Sequence, residues 1–179
     1  MIKKVLLVVA VLVIAFVVVV SLRPSEFSVS RSATIAAPPS AVFDQINDLH
    51  KYSVWNPFGK RDPAMKTTFD GPPAGNGAAM HWTGNSEVGE GIMTITESTP
   101  NERVRMQLEF LKPFPSSANA DFVLTNQASA TQVTWTISGH HTFVPKAVSL
   151  FLNMDKMIGG DFEKGLADLK SIVESGSRK

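Results

Sequence analysis

Few polar residues of this chain are spaced in a way that suits catalysis. Glu87 and Glu90 flank Gly89 in a predicted loop, and two neighbouring carboxylates can share general acid–base work. Solvated loop charges have the same spacing, so the pair alone does not predict an active site. His140 and His141 are adjacent, and on a strand they point to opposite faces, which prevents them from binding one ion together. The sequence therefore predicts no catalytic residue.

The composition excludes several classes of protein. The chain has 179 residues, no Cys, four His and a formal net charge of +1. Disulfide and thiolate chemistry are impossible, and the His residues lack the spacing of a metal site. The sequence also lacks a Gly-rich phosphate loop, a dinucleotide fingerprint and a Ser-His-Asp pattern. We therefore expect no metal and no cofactor. The balanced charge argues against a nucleic-acid partner, and no pattern identifies a protein partner.

One segment differs sharply from the rest of the chain. Residues 5–22 include 15 Val, Leu, Ile or Phe among 18 residues. As a helix this segment would rise about 27 Å, close to the thickness of a bilayer core. The sequence thus predicts a cytoplasmic stub at 1–4, a transmembrane helix at 5–22, a tether at 23–26, one domain at 27–175 and a tail at 176–179.

The charges around this segment predict its orientation. Lys3 and Lys4 precede it, and the positive-inside rule then places the N-terminus in the cytoplasm. The domain would face the periplasm or the cell exterior, held by a single pass through the cell membrane. A cleaved secretory signal is the alternative, but such signals have an apolar core of about 7–15 residues and an Ala-x-Ala-like site. The longer run and the Val20–Pro24 sequence favour an uncleaved anchor.

The residues after the tether predict an α+β domain. Strands alternate polar and apolar residues, whereas the last segment repeats its apolar residues at spacings of three and four, as an amphipathic helix does. Gly159-Gly160 and Gly165 interrupt that helix and predict a kink or a close approach to the sheet. Asp161 and Glu163 of the same helix are expected on the surface. The predicted order is a strand at 27–35, two short helices between 38 and 55, strands at 65–69, 78–83, 91–98, 103–110, 118–125 and 132–141, and a helix from 154 to 173.

Several short motifs follow one another in this order: Arg31–Ile35, Ala37–Phe43, Trp55–Phe58, Trp82–Asn85, Val88–Gly91, Pro113-Phe114, Val133–Trp135 and Asp161–Lys170. Together they resemble the helix-grip fold of the START-like (SRPBCC) superfamily, and within it the bacterial polyketide cyclase/dehydrase group. The resemblance spans about Phe27 to Glu174. It implies a curved antiparallel sheet of about seven strands wrapped on the long C-terminal helix, with two short helices after the first strand.

The resemblance also implies an apolar cavity between the sheet and the helix. Apolar residues on the inward faces of the predicted elements would line it, and the same stripe would also suit a packed core. The predicted lining consists of Trp55, Phe58, Met93, Ile95, Met106, Leu108, Phe110, Phe122, Leu124, Trp135, Ile137, Met154, Ile158 and Phe162.

These features lead to one hypothesis and two alternatives. The anchor and the cavity predict a membrane-bound domain that binds a hydrophobic small molecule or lipid without turnover. A cyclase or dehydrase acting on a polyketide-like substrate is the first alternative, and it requires a polar group with a shifted pKa inside the cavity. A protein-interaction module of the co-chaperone type is the second, and it requires a filled core and an exposed apolar patch.

Overall fold

A seven-stranded antiparallel sheet organises the part of the chain that the computed structural model describes, which is residues 2–140, 143–148, 150 and 153–176. The helices are α1 (Ile2–Ser21), α2 (Pro39–Asn47), α3 (Leu49–Trp55), a 3₁₀ helix (Pro57–Arg61), α4 (Phe143–Val148) and α5 (Met154–Gly176). The strands are β1 (Glu26–Ile35), β2 (Lys66–Asp70), β3 (Ala79–Thr83), β4 (Glu90–Thr99), β5 (Arg103–Lys112), β6 (Ser116–Gln127) and β7 (Ala130–His140). This arrangement confirms the predicted helix-grip fold.

The strand register defines two ends of the sheet. The strand order is β1-β7-β6-β5-β4-β3-β2, so β1 and β2 are the edges. Glu26 lies opposite His140, Phe110 opposite Ser116, and Lys112 opposite Glu90. We call this the proximal end of the sheet, because α1 joins β1 there. The distal end holds the turn between β6 and β7 at residues 128–129.

Local signals set the ends of the short helices. The Asp48 side chain caps α3 by accepting hydrogen bonds from the backbone N–H groups of His50 and Lys51. Asn56 ends the helix, since the following Pro57 disfavours helical backbone at the residue before it. The Asn56 side chain then accepts from the Phe58 N–H and starts the 3₁₀ helix.

The structure differs from the sequence-based elements in a few places. Residues 60–63 have the polar sequence of a turn, but 60 and 61 are the last two residues of the 3₁₀ helix. Helix α4 was not predicted, and most strands are one to four residues longer than their alternating cores indicated. His141, the expected end of the last strand, lies outside the described residues, as do positions 177–179 of the tail.

Helix α5 approaches the sheet closely at a glycine, as its sequence predicted. A Cβ atom placed on Gly165 would lie 3.0 Å from Cζ3 of Trp135 and 2.9 Å from Cδ of Pro57. Both distances are shorter than ordinary carbon contacts, so glycine is needed for the helix to pack on β7 and the 3₁₀ helix. This contact fixes the depth at which α5 lies over the sheet.

Helix α1 has the length and composition of a membrane span. Its 20 residues have a mean hydropathy of 3.1, and Val20 is its one buried residue. A 20-residue helix rises about 30 Å, which matches a bilayer core. The helix contacts α4 near the proximal end. These properties fit either a membrane anchor or a signal sequence.

Candidate ligand-binding site

The size of the side chains on the inner face of the sheet changes along its strands. Because neighbouring strands are in register, inward side chains form rows that cross the sheet. One row contains Arg31, Trp135, Phe122 and Val104. We call it the aromatic row.

The aromatic row packs tightly against the helices. The rings of Trp135 and Phe162 are parallel with centroids 3.9 Å apart, and Phe122 stacks on the other side at 4.9 Å. Trp55 meets Trp135 edge-on at 5.7 Å. Such contacts add to the stabilisation from burial alone. Side chains therefore fill the space between sheet and helix at this level.

The two rows nearer the proximal end are built differently. In the first, Ala120 lies between Ile137 and Met106. In the second, Ala118 lies between Gly139 and Leu108. We call these the small rows. The alanines of these rows present methyl groups where the aromatic row presents rings. The ring of Phe27 covers Gly139, since a Cβ atom placed there would lie 3.0 Å from Cε1 of that ring.

Three methionines extend the small rows across the sheet. Met106 pairs with Ile95, Met93 pairs with Leu108, and Met80 pairs with Met93. All five of these side chains are buried or nearly so. Methionine is unbranched and adapts to irregular shapes, so this wall can change its contour at low cost.

The predicted lining residues divide between these two regions. Two partly buried members, Phe58 and Ile158, pack on the core, while Phe110 lies one row nearer the proximal end. The position of Met154 begins α5, and its side chain lies outside the described part of the chain. Those buried at or beyond the aromatic row are Trp55, Phe122, Leu124, Trp135 and Phe162; those in the small rows are Met93, Ile95, Met106, Leu108 and Ile137.

Two polar atoms lie within this apolar region. Nε1 of Trp135 is the one buried side-chain nitrogen or oxygen that lacks a hydrogen-bond partner among the described residues. A buried donor without a partner is unfavourable, since it has lost water and gained nothing in return. The hydroxyl of Tyr52 belongs to a side chain that is 1 % exposed, and burial raises the pKa of that phenol.

The buried polar residues found elsewhere serve local structure. Thr131 donates to the Ala37 carbonyl at 2.7 Å. Asp62 accepts from the backbone N–H groups of Ala64 and Asn85 at 3.0 and 2.7 Å. These groups hold turns and lie away from the small rows.

One expectation about α5 was wrong. Asp161 was predicted to lie on the surface, but it is 7 % exposed and forms an ion pair with Arg61 of the 3₁₀ helix. The 3₁₀ helix, which was not predicted, covers the carboxylate. Glu163 is exposed as expected, and it pairs with Arg31 at 2.9 Å.

Arg31 is a structural residue that sequence reasoning missed. It projects from edge strand β1 towards α5, where Nε binds Glu163 and Nη2 binds Asp155 at 3.0 Å. Gly159 leaves the space for it, because a Cβ there would lie 2.0 Å from Nη2. The partners are 124 and 132 residues away, so local spacing in the sequence gives no signal for this pairing.

The remaining polar residues singled out from the sequence are dispersed over the surface. Glu90 binds Lys112 across β4 and β5 at 3.0 Å, and His81 faces Asp70 at 2.9 Å. Within the described residues, no three His, Asp or Glu side chains are grouped closely enough to hold a metal ion.

An outward-facing cluster surrounds one carboxylate. Arg103 and Arg105 of β5 both bind Asp121 of the neighbouring β6, and Arg105 also binds Glu97 at 3.2 Å. The hydrogen bond from Arg103, with a further one from Arg105, lowers the pKa of the Asp121 carboxyl. This cluster faces away from α5 and stabilises the sheet.

Solved structures similar to this chain share its fold at low sequence identity. A protein from Chromobacterium violaceum is 14% identical, with a TM-score of 0.60 over 82% of this chain and 96% of its own. The Aha1 protein of Colwellia psychrerythraea, solved as a dimer, is 16% identical, with a TM-score of 0.59 over 83% and 96%.

DynU16, a protein of the dynemicin biosynthetic locus, is 16% identical, with a TM-score of 0.56. The match covers 83% of this chain but 48% of DynU16. Identities this low show the fold and not the activity. Among curated proteins, none matches the sequence significantly.

A family model fits the domain from end to end. The model describes polyketide cyclase/dehydrase and lipid transport proteins, and it matches residues 26–174. These limits coincide with the start of β1 and the last turns of α5. The chain therefore belongs to the polyketide cyclase/dehydrase and lipid transport family.

Proposed function

We propose that this protein binds a hydrophobic small molecule or lipid between its sheet and α5, without chemical turnover, while α1 anchors it in a membrane. The observation that carries the proposal is the change from the aromatic row to the small rows. Rings fill the space between sheet and helix at one level, whereas alanine and methionine side chains form its wall at the next. The family's association with lipid transport supports the same function.

The ligand would lie in the proximal part of the grip. Ala118 and Ala120 would form the middle of its floor, and Met93 and Met106 would form its adaptable side. The aromatic row closes the distal side. The ligand would thus lie nearest the end of the sheet at which α1 joins the domain.

The orphaned indole predicts one property of the ligand. Trp135 borders the small rows, and its buried N–H has no acceptor among the described residues. A ligand carbonyl or hydroxyl oxygen placed there would supply one. The proposed ligand therefore has an apolar body and at least one oxygen acceptor.

Partition between membrane and protein would drive binding. Removal of apolar surface from water contributes about 25 cal/mol per Å², so most of the affinity would come from the size of the apolar body. A ligand of this kind dissolves in lipid, and an anchored domain stays within reach of it. With Lys3 and Lys4 on the cytoplasmic side, the domain would face the periplasm or cell exterior.

The test uses the full chain, purified in mild detergent and analysed by native mass spectrometry. We expect a co-purifying molecule at one per chain, which extraction and mass analysis would identify. Ala120→Leu fills the small rows and should abolish this binding. Ala37→Leu is the matched control, because it overfills the core equally at the distal end.

Three results would contradict the proposal. A chain that is bare and that takes up neither lipids nor apolar dyes has no usable cavity. Equal loss of ligand in Ala120→Leu and Ala37→Leu would indicate general destabilisation instead of a site. If a lipid added to the chain is later released as a chemically different molecule, the protein has turned it over.

A further inference from the structure

The hairpin between β5 and β6 ends in an exposed apolar tip. All residues from 111 to 115 are exposed, and their sequence is Leu-Lys-Pro-Phe-Pro. Phe114 is 66% exposed and Leu111 is 48% exposed. We call residues 111–115 the hairpin tip. A large aromatic side chain left in water at a loop tip stabilises nothing within the domain.

The hairpin tip protrudes from the proximal end. Glu26 lies level with the start of β6, since Phe27 pairs with Gly139 and Gly139 with Ala118. The last residue of β5, Lys112, lies three residues beyond that level, which corresponds to about 10 Å of extended chain. The tip therefore projects on the side of the sheet from which α1 enters.

The sideways distance between the hairpin tip and the start of β1 is short enough for one membrane surface to contact both. Two strands, β7 and β6, separate β1 from β5, and neighbouring strands are about 4.8 Å apart. The tip is thus displaced sideways by roughly 15 Å from the start of β1, and four residues link β1 to the end of α1. A plane that crosses the proximal end can touch both.

The composition of the tip fits a lipid surface. Phe and Leu side chains insert at the boundary between headgroups and acyl chains, and Lys112 extends a cation that suits anionic headgroups. Lys112 also binds Glu90, so its ammonium lies near the proximal end of the sheet while Phe114 lies beyond it. An exposed apolar loop with a neighbouring basic residue is typical of a contact with the membrane interface.

We infer that the hairpin tip is a second membrane-contacting element, which inserts Leu111 and Phe114 into the bilayer interface beside α1. This inference rests on the proposed membrane anchor. This contact would orient the domain so that the small rows face the bilayer. A ligand could then pass between the lipid and the space under α5 without crossing water.

The experiment places single fluorescent reporters on the full chain, which has no native Cys, in lipid vesicles that contain phosphatidylglycerol. Ser116→Cys reports on the hairpin tip and keeps both apolar residues. Ser129→Cys is the control in the turn that follows the other end of β6. Val13→Cys reports on α1. Spin-labelled lipids then measure the depth of each reporter.

We expect quenching and a blue shift at position 116 by shallow labels, quenching at position 13 by deep labels, and neither at position 129. In the Ser116→Cys background, Leu111→Ser with Phe114→Ser should abolish the response at position 116 and leave position 13 unchanged. Val54→Ser, which removes an equally exposed apolar side chain from α3, should change neither.

The outcomes separate the two proposals. Quenching at position 13 without quenching at position 116 would overturn the hairpin contact and leave the anchor. Quenching at position 116 alone would support the hairpin and overturn the anchor. Quenching at neither position would overturn the hairpin contact. A blue shift at position 116 that appears without lipid and grows with protein concentration would also overturn it, and would indicate contact between copies of the chain instead.

Discussion

The indole of Trp135 and the ring of Phe162 lie face to face, with an interplanar angle of 6° and centroids 3.9 Å apart. One belongs to the middle of β7 and the other to α5, so the stack joins the sheet to the helix that it grips. Both side chains are almost fully buried. This contact is the centre of the domain, and it also closes the distal side of the proposed site.

Phe162→Ala should therefore be among the most destabilising substitutions of the domain. Loss of a fully buried ring leaves a cavity and typically costs about 3–5 kcal/mol. Urea unfolding in detergent, followed by tryptophan fluorescence, measures the change. Met157→Ala, on an exposed face of the same helix, should change the free energy of unfolding by less than about 0.5 kcal/mol. Similar effects of both substitutions would contradict the packing described.

Two glycines of α5 should respond to alanine in opposite directions. A Cβ on Gly165 would press on Trp135 and Pro57, so Gly165→Ala should destabilise the domain by about 1–3 kcal/mol. Gly160 has no atom within 4 Å of such a Cβ, and Gly160→Ala should stabilise the domain by up to about 1 kcal/mol through helix propensity. Thermal unfolding of both variants checks the signs. Stabilisation by both would show that α5 does not approach β7 as closely as described.

Much of this architecture follows from patterns within single elements. The alternation of Val104, Met106 and Leu108 identifies both the strand and its inward face. The rows across the sheet could not be predicted in the same way, because they depend on the register between strands. The position of Ala120 between Ile137 and Met106 arises only from that register. The stacking of Trp135 on Phe162 depends in addition on how α5 packs on β7. A list of inward residues therefore did not separate packed core from proposed lining.

Charged residues were harder to place than apolar ones. Asp161 follows a helical spacing that left it on the outer side of α5, yet Arg61 and the 3₁₀ helix cover it. Arg31 lies among inward positions of β1 and reaches carboxylates more than 120 residues away. Such pairs depend on how elements meet, which residue type and local spacing do not reveal.

The ion pairs around Asp121 should make the free energy of unfolding of the domain depend on pH under acidic conditions. Arg103 and Arg105 lower the pKa of the Asp121 carboxyl in the folded state, whereas in the unfolded state the carboxyl titrates near its ordinary value of about 4. The stabilisation is thus fully present above about pH 4, and it is lost as the pH falls through the lower, folded pKa.

A comparison of Asp121→Asn with the unsubstituted chain measures this term. The difference in their free energies of unfolding should be constant near neutral pH and shrink as the pH falls below about 4. Arg103→Gln alone should reduce the pH dependence of the free energy of unfolding. When it is combined with Asp121→Asn it should cause no further reduction, because both substitutions remove the same interaction. A pH-independent difference would exclude the proposed role of the arginines.

The single tyrosine of the chain provides a direct optical measurement at high pH. Tyr52 is buried against Trp55, and desolvation raises the pKa of its phenol. Because the chain has one Tyr, absorbance near 295 nm reports on this residue alone. The folded protein should show no ionisation as the pH passes about 10, whereas the urea-unfolded chain should titrate there.

The same shift predicts how stability depends on alkaline pH. The unfolded state releases the Tyr52 proton above about pH 10 while the folded state retains it, so this stabilising term is present below that pH and declines above it. For one proton the free energy of unfolding should fall by about 1.4 kcal/mol per pH unit. Tyr52→Phe should lack this slope, and the difference between the two proteins cancels the contribution of the lysines. An ordinary titration of Tyr52 in the folded protein would mean that water reaches the aromatic row, which would place an open cavity beside Trp135 instead of a packed core.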